Sequence, residues 1–348
     1  MELLKSFKHK GSEAGAVFRV ESELKRTEEL FDAVIGGRID GTEFRVSAFD
    51  RLISPLVKAG GKRLRARLVL LVAGAGQELF GTSDDARQVC EASRIRMAAA
   101  VELLHLATLI HDDVLDGADL RRGTETIHRV HGDKVAILSG DYVFSRAFAL
   151  LADIGEPRLL SVLAGTVGTL TEGEFMQAED YFRTDVSIER YLEKTEKKTA
   201  CFIRDCMEVG ALLGGWSQSD TRALKAYGYA LGMMFQLTDD VMDYRERTET
   251  TGKPVGHDVR EGVLTHPLLS VVTRENRSVV DVMIEDIRNG GETDTLSEFV
   301  VRSGGIDNTL ALAADYGVQA VSALEALPDF AGKGMLRDAV HRISQRKV

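Results

Sequence analysis

The chain of 348 residues contains little proline, cysteine or tryptophan, with five, three and one of each. Its three cysteines, Cys90, Cys201 and Cys206, form no CxxC pair, which argues against a zinc or redox site of that spacing. The N-terminus lacks the apolar region of a signal peptide, and no run reaches the roughly 18 apolar residues of a membrane span. We therefore expect a cytoplasmic protein without an integral membrane segment.

Positive charge is also scarce: 44 Lys and Arg stand against 54 Asp and Glu, which gives a net charge of -10. A surface this acidic repels nucleic acid and anionic lipid, so we expect no nucleic acid partner. Any anionic ligand would need a local cluster of basic side chains.

Alternating strand patterns are hard to find, whereas long windows lack both proline and glycine. Helical periodicity covers the windows 17–35, 44–58, 82–116, 134–152, 158–181, 187–209, 221–247 and 267–288. No linker, repeat or low-complexity tract separates them. The sequence thus predicts one all-α domain over residues 1–348, with residues 1–15 as a flexible tail.

Two DDxxD strings occur within apolar helical windows: Asp112, Asp113 and Asp116, and Asp239, Asp240 and Asp243. In each string the outer aspartates are four residues apart, so they share one helix face. Unpaired charge is expensive in an apolar setting, which makes a merely solvated acidic face a poor explanation for two copies.

If the two helices face each other, six carboxylates converge and need counter-charge from cations. Ligation by carboxylates alone favours Mg²⁺, which shares its octahedral shell with water and substrate phosphates. An EF-hand is excluded because its loop spacing is absent.

Basic residues follow these acidic strings or a helix boundary: Gly60 to Arg65 reads GGKRLR, Arg121 and Arg122 follow the first string, and Lys253 follows the second. Arginine binds phosphate oxygens in bidentate fashion, and lysine adds a point charge. Acids for Mg²⁺ with bases for phosphate indicate a diphosphate site. No P-loop or dinucleotide-binding signature accompanies this site, which argues against a nucleotide substrate. A diphosphate site beside an apolar helical interior instead favours a substrate with a hydrocarbon tail.

Six blocks of the chain resemble the all-trans polyprenyl (isoprenyl) diphosphate synthase family. They are GGKRLR at 60–65, ELLHLATLIHDDVLDGADLRRG at 102–123, GDYVFSRAF at 140–148, EKKTA at 196–200, FQLTDDVMDY at 235–244 and GKPVGHDVREG at 252–262. They occur in family order across about residues 50–270, which makes the resemblance highly specific.

This resemblance implies antiparallel helices around a deep central cavity and a transferase that needs Mg²⁺, with three ions. The implied metal ligands are Asp112, Asp116, Asp239 and Asp243, supported by Asp113 and Asp240. Isopentenyl diphosphate would contact Lys62, Arg65, His105 and Arg122. The allylic diphosphate, farnesyl or similar, would contact Arg121, Lys198, Thr199, Gln236 and Lys253.

The implied reaction is ionisation of the allylic diphosphate, attack by the isopentenyl double bond and loss of a proton, with no side-chain nucleophile. The sequence departs from the family pattern at Ala66, which replaces a common proline, and at Val263, which replaces a common lysine. The second departure removes one possible phosphate contact.

Ala107 lies five residues before Asp112, where the resemblance places a chain-length gate. A small residue there resembles the longer-chain members, whereas alanine is also simply a good helix former. A short-chain synthase, a subunit of a heteromeric synthase, a class I terpene cyclase and a structural bundle remain as alternatives. The resemblance implies a homodimer, and window 17–35 could either join the partner or cover its own core.

Overall fold

The described part of the chain, residues 12–35, 47–58, 60–81, 84–245 and 256–345 of a computed structural model, is almost entirely helical. The first half contains α1 (Ser12–Ile35), α2 (Ser47–Lys58), α3 (Leu64–Phe80), α4 (Asp84–Leu115), β1 (Leu120–Arg121), β2 (Thr124–Glu125), α5 (Ile127–His131), α6 (Asp133–Ile154) and α7 (Pro157–Asp180). The second half contains α8 (Ile188–Thr195), a π-helical segment (Glu196–Ala200), α9 (Cys201–Gly214), α10 (Gln218–Arg245), α11 (His257–Arg260), α12 (His266–Leu269), α13 (Arg277–Arg288), α14 (Asp294–Arg302), α15 (Gly305–Glu325) and α16 (Lys333–Ser344). The all-α prediction is confirmed.

Three predicted segments differ in detail. The first helix begins at Ser12, inside the predicted tail, and residues 1–11 lie outside the described part. The predicted helix 187–209 contains the π-helical segment. The predicted helix 267–288 is wrong as one helix, because Asn276 accepts a hydrogen bond from the backbone of Thr273 and donates one to the carbonyl of Val271, which forms a turn between α12 and α13.

The described residues divide into two compact units. Unit 1 takes its residues from Met1–Ala164, Cys206–Thr221 and Asp329–Met335, and unit 2 takes them from Gly165–Asp205, Arg222–Pro328 and Leu336–Val348. The single domain over residues 1–348 stays a prediction.

In unit 1 the core lies between α1, α3, α4 and α6. Nearly every residue of α3 from Ala66 to Gln77 is buried, and α4 is buried from Met97 to Leu104. Helix α1 packs on α3 and α4 and is fixed there by a buried ion pair between Glu23 and Arg94. Helix α1 therefore covers the core of its own unit, which is one of the two roles expected for window 17–35.

Helix α6 buries one stripe and exposes another. Its buried residues include Ala136, Val143 and Ala147, whereas Ile137 and Leu138 are 45% and 53% exposed. It is the one helix among the described residues that is long and apolar enough to cross a membrane, although a core helix passes the same test. The expectation that the chain has no integral membrane segment stays a prediction.

In unit 2, α10 lies against the last helices of the chain. The hydroxyl of Tyr227 is fully buried and donates to the carbonyl oxygen of Leu336 over 2.9 Å. Helix α12 packs on α15. This packing holds α10, and the second acidic string at its C-terminal end, in a fixed frame.

Candidate active site

The first acidic string lies in the last turn of α4, where the helix ends in a Schellman motif. Gly117 has a left-handed backbone with φ 61°, and its N–H donates to the carbonyl of Val114, while Ala118 donates to the carbonyl of Asp113. The predicted end of window 82–116 is therefore confirmed to within one residue. It leaves Asp116 at the exposed tip of the helix.

Burial separates the three aspartates of the first string. Asp113 is 2% exposed, Asp112 is half-buried and Asp116 is exposed. Burial raises the pKa of Asp113, and the guanidinium of Arg121 opposes this by donating a hydrogen bond of 2.5 Å. The outer two carboxylates thus share the accessible face, and the middle one is held by the protein.

The loop that follows α4 contains a hairpin that sequence periodicity did not indicate. Strands β1 and β2 pair with Leu120 opposite Glu125 and Arg121 opposite Thr124. The two residues at the tip, Arg122 and Gly123, have φ values of 53° and 78°. Positive φ at both positions is typical of a type I′ turn, which usually carries Asn-Gly, so Arg122 occupies a strained backbone conformation.

A second left-handed arginine, Arg63, precedes α3 within GGKRLR, with φ 48°. The side chain of Arg63 turns inward, where it pairs with Glu102 over 3.5 Å and lies over the ring of Phe31. The carboxylate of Glu102, which is 5% exposed, also accepts the backbone N–H of Ala66 over 3.1 Å. Glu102 therefore holds the start of α3 against α4.

His105 lies one turn after Glu102 on α4. Burial, followed by the positive charges of four arginines, lowers its pKa well below 6.5. In order of effect the arginines are Arg65, Arg122, Arg121 and Arg63. Lys62 is exposed and precedes Arg63 in the GGKRLR segment. Unit 1 thus gathers a neutral imidazole and several cations, as an anion site requires.

Arg122 gives a prediction in which stability and function change in opposite directions. Replacing Arg122 with Gly removes the cost of a left-handed side-chain-bearing residue, so the free energy of unfolding should rise by about 1 kcal/mol. If Arg122 binds isopentenyl diphosphate, as the sequence resemblance implies, loss of the guanidinium should raise the KM for this substrate by about 10- to 100-fold. Urea unfolding and steady-state kinetics measure the two effects. An unchanged KM would show that Arg122 does not touch the substrate.

The second acidic string lies near the end of α10 in unit 2. Asp239 is exposed, Asp243 is half-buried and Asp240 is 2% exposed, which repeats the burial pattern of the first string. The two carboxylate oxygens of Asp243 accept the backbone N–H groups of His257 and Asp258, both over 3.1 Å. These bonds fix Asp243 against the start of α11.

Asp240 is the buried end of a partly buried chain of hydrogen bonds. Thr199 donates to Gln236 over 2.9 Å, Gln236 donates to Asp240 over 2.9 Å, and the hydroxyl of Tyr191 donates to the other oxygen of Asp240. Burial raises the pKa of Asp240 to about 7, although the hydrogen bonds from Tyr191 and Gln236 lower it. The network joins three residues named by the sequence, Thr199, Gln236 and Asp240, to one that was not, Tyr191.

Lys198 and Thr199 lie in the π-helical segment, a wide turn often found at functional sites. The N–H of Cys201 bonds to the carbonyl of Glu196, five residues earlier, instead of that of Lys197. The buried thiol of Cys201 donates to the carbonyl of Lys197 over 3.0 Å, so this carbonyl still has a partner. Cys201 therefore supports the turn as a core thiol.

The ammonium of Lys198 pairs with Glu174 of α7 over 2.9 Å. Both side chains are about a quarter exposed, at 24% and 29%. An incoming anion can therefore reach Lys198 and compete with Glu174 for it.

His266 at the start of α12 extends this region. Its ring lies against that of Tyr191, tilted by 55° with centroids 5.6 Å apart, and its Nδ1 shares a hydrogen bond of 2.8 Å with the hydroxyl of Thr309. Burial lowers the pKa of His266 to about 4. Between about pH 4 and pH 6.5 the imidazole of His266 is therefore neutral in the folded protein but protonated in the unfolded chain.

Through His266, acidification below pH 6.5 should therefore lower the free energy of unfolding. At pH 5 the proton taken up by His266 in the unfolded state should cost about 2 kcal/mol of unfolding free energy. Replacing His266 with Phe keeps a ring against Tyr191 and should remove this share of the pH dependence. Urea unfolding of both proteins at pH 5 and pH 8 measures it. An equal pH dependence in the two proteins would contradict the assignment.

The structure places the sequence-predicted residues in two groups. Unit 1 holds the first acidic string with Lys62, Arg65, His105, Arg121, Arg122 and the fully buried Ala107, and unit 2 holds the second string with Lys198, Thr199 and Gln236. Lys253 lies outside the described residues. Across the described ranges, no group of three or more His, Cys, Asp or Glu side chains has the arrangement of a metal site.

Sequence reasoning missed the supporting residues Glu102, Tyr191, Glu174 and His266. A signal existed for Glu102, because an acid in the otherwise apolar stretch before His105 needs a partner. Tyr191 and Glu174 carry no such signal, since their roles depend on contacts between distant parts of the chain.

A model of the polyprenyl synthetase family matches residues 46–301. The heptaprenyl diphosphate synthase component 2 of Geobacillus stearothermophilus is 35% identical over 292 residues, which are 84% of this chain and 88% of that protein. Solanesyl diphosphate synthase 1 of Arabidopsis thaliana is 34% identical over 282 residues, 81% of this chain and 68% of that protein.

Solved structures agree with these relatives. A polyprenyl synthase from Caulobacter crescentus, complexed with calcium and isoprenyl diphosphate, is 33% identical, with a TM-score of 0.82 over 98% of this chain and 100% of that one. A decaprenyl diphosphate synthase from Rhodobacter capsulatus is 29% identical, with a TM-score of 0.83 over 96% of this chain and 99% of that one. The chain therefore belongs to the polyprenyl synthetase family and is a prenyltransferase with the all-α isoprenoid synthase fold.

Proposed function

We propose that the enzyme condenses an allylic diphosphate, farnesyl or similar, with isopentenyl diphosphate to give a medium- to long-chain all-trans polyprenyl diphosphate. One observation carries this proposal: each acidic string buries its middle carboxylate, leaves its outer two exposed or half-buried, and is accompanied by cations or donors suited to diphosphate. Relatives named as heptaprenyl, solanesyl and decaprenyl synthases support the longer product.

The outer carboxylates Asp112, Asp116, Asp239 and Asp243 fit Mg²⁺, because they are hard oxygen donors that are exposed or half-buried. Each oxygen of Asp243 accepts one backbone N–H and keeps a lone pair for a metal ion. We propose that they hold three Mg²⁺ ions together with the diphosphate. Asp113 and Asp240 are bonded to Arg121 and to Tyr191, which suits a supporting role. When bound, Mg²⁺ would neutralise charge on the departing diphosphate.

Two sets of side chains bind the two substrates. Lys62, Arg65, His105 and Arg122 bind isopentenyl diphosphate, and Arg121, Lys198, Thr199, Gln236 and Lys253 bind the allylic diphosphate. The allylic C–O bond breaks with its electron pair on the diphosphate oxygen, and the isopentenyl double bond then attacks the allylic cation. The proton lost from the new unit passes to the released diphosphate. No protein nucleophile takes part.

One assay tests this function: purified protein, Mg²⁺, farnesyl diphosphate and labelled isopentenyl diphosphate, scored for extended products. We expect elongation that stops when the metal is chelated. A cyclised hydrocarbon without incorporated label would instead indicate a terpene cyclase. The absence of extension with farnesyl, geranyl and geranylgeranyl primers, for the protein alone and with a partner subunit, would contradict the proposal.

Product length gives the next prediction. Ala107 is fully buried on α4, and an aromatic ring at this position would occupy volume that the small methyl group does not. Replacing Ala107 with Phe should therefore shorten the main product by several isoprene units, as resolved by chromatography. Replacing Ala107 with Ser keeps a small side chain and should leave the product length unchanged. Equal product lengths from all three proteins would exclude Ala107 as the gate.

We propose that the enzyme is a homodimer, and the exposed apolar residues Ile137 and Leu138 on α6 support a second copy as the occupant of that face. The named component 2 of Geobacillus stearothermophilus favours a second possibility, a heteromeric synthase. Sedimentation and elongation assays of the wild type and of Leu138→Glu, each without another subunit, distinguish the homodimer from the heteromeric synthase. A monomer that is inactive until another subunit is added would favour the heteromer.

A further inference from the structure

Helix α8 buries a lysine that the function described above does not use. Lys194 is 5% exposed, and its Nζ lies 3.9 Å from Oδ2 of Asp180, a residue that is 3% exposed. That distance is too long for a hydrogen bond, and this oxygen of Asp180 has no hydrogen-bond partner among the described residues. A buried carboxylate oxygen without a hydrogen bond beside a buried lysine is costly, so this pair calls for an explanation.

The position of Lys194 relates it to the allylic side of the site. It lies one turn after Tyr191, whose hydroxyl bonds to Asp240, and four residues before Lys198. Tyr191, Lys194 and Thr195 are all buried, so they form a polar stripe that continues into the π-helical segment. Lys194 is thus the buried cation between two parts of the proposed diphosphate site.

Charged groups of both signs surround Lys194. Burial lowers the pKa of Lys194 most, and Lys198 and Arg190 add to this, whereas Asp180 and Asp240 raise it. Asp180 is already engaged by Arg190, whose Nε donates to Oδ1 over 2.7 Å. Because Arg190 takes part of the negative charge of Asp180, the charge of Lys194 is only partly compensated by its nearest acid.

We propose that Lys194 is an electrostatic positioning residue for the allylic diphosphate, acting beside Lys198 and the Tyr191–Asp240 hydrogen bond. Its fixed positive charge attracts the diphosphate without touching it, and it offsets negative charge at the second acidic string before substrate arrives. The inference rests on the proposed function, because it assigns Lys194 to the allylic side of that same site.

The test compares Lys194→Met, which keeps the length and removes the charge, with Lys194→Arg, which keeps the charge. In Lys194→Met the KM for farnesyl diphosphate should rise roughly tenfold, the effect of a unit charge about 10 Å away at an effective dielectric near 20. The KM for isopentenyl diphosphate should change by less than about twofold, and Lys194→Arg should restore most of the loss. Calorimetric titration with inorganic pyrophosphate and Mg²⁺ should show the same weakening without turnover.

Lys197→Met is the matched control. It removes the same charge from the neighbouring turn, but Lys197 pairs with Glu172 and Glu193 near the surface, each over 3.1 Å. Its removal should leave both KM values within about twofold of the wild type. If Lys194→Met does not fold, Asp180→Asn combined with Lys194→Met removes both buried charges and serves the same comparison.

The outcomes are distinct. A lower melting temperature with both KM values and pyrophosphate affinity unchanged would overturn the inference and leave Lys194 a structural residue. An equal rise in both KM values would also overturn it. A wild type that extends no primer would instead overturn the proposed function, which the elongation assay detects independently.

Discussion

Replacing Asp112 or Asp239 with Asn should lower kcat by about a thousandfold or more without unfolding the protein. Each substitution keeps the shape of the side chain and replaces an accessible anionic ligand with a neutral amide. Because both side chains are accessible, the fold should tolerate the change. Steady-state kinetics over a range of Mg²⁺ concentrations measures the loss, and circular dichroism checks the fold.

Asp119→Asn is the control for this experiment. The side chain of Asp119 is exposed and forms a surface ion pair with Arg129 over 3.3 Å, so the loss of its charge should be nearly silent. The double variant Asp112→Asn/Asp239→Asn should lose little more than the worse single variant if both strings serve the same step. Single variants that keep more than about a tenth of wild-type turnover would refute the assignment of these carboxylates as metal ligands.

Replacing Gly232 with Ala should cost about 2–3 kcal/mol of unfolding free energy and also weaken the site. A Cβ at position 232 would lie 2.6 Å from the Cα of Ala200, so the backbone of the π-helical segment has to move. Since that segment carries Lys198 and Thr199, the KM for the allylic diphosphate should rise by at least about tenfold. Urea unfolding and separate KM values for the two substrates measure these effects.

Gly15→Ala provides the comparison, because nothing lies within 4 Å of its added Cβ on α1. It should stabilise the protein by up to about 1 kcal/mol through helix propensity and leave the kinetics alone. If Gly232→Ala is equally harmless, the close packing of α10 on the π-helical segment has no role in substrate binding.

The sequence predicts those features that depend on local spacing. Apolar periodicity and the position of Gly117 give α4 and its end, and the i,i+4 spacing places Asp112 and Asp116 on one face. The burial of each middle aspartate follows from the same geometry, since Asp113 is turned about 100° from Asp112. Sharing of one metal cluster by the two strings stays a prediction.

Features that depend on distant packing could not be predicted. Strands β1 and β2 have two residues each, too few to show an alternating pattern. The π-helical segment has an ordinary helical composition, and its wide turn packs against Gly232, 32 or more positions along the chain. The break before α13 requires one side chain, Asn276, to bond back to the main chain, which a helical window conceals.

The π-helical segment Glu196–Ala200 contains one residue more than the same stretch of α-helix would need, so one residue can be deleted there without changing the fold. A deletion within the turn would convert it into an ordinary α-helical turn and leave the flanking helices α8 and α9 with the same buried faces. The shortened protein would still fold, but Lys198 and Thr199 would no longer both be presented as they are now. Inactive descendants of this enzyme could therefore arise through a single lost codon and still express as well-folded proteins.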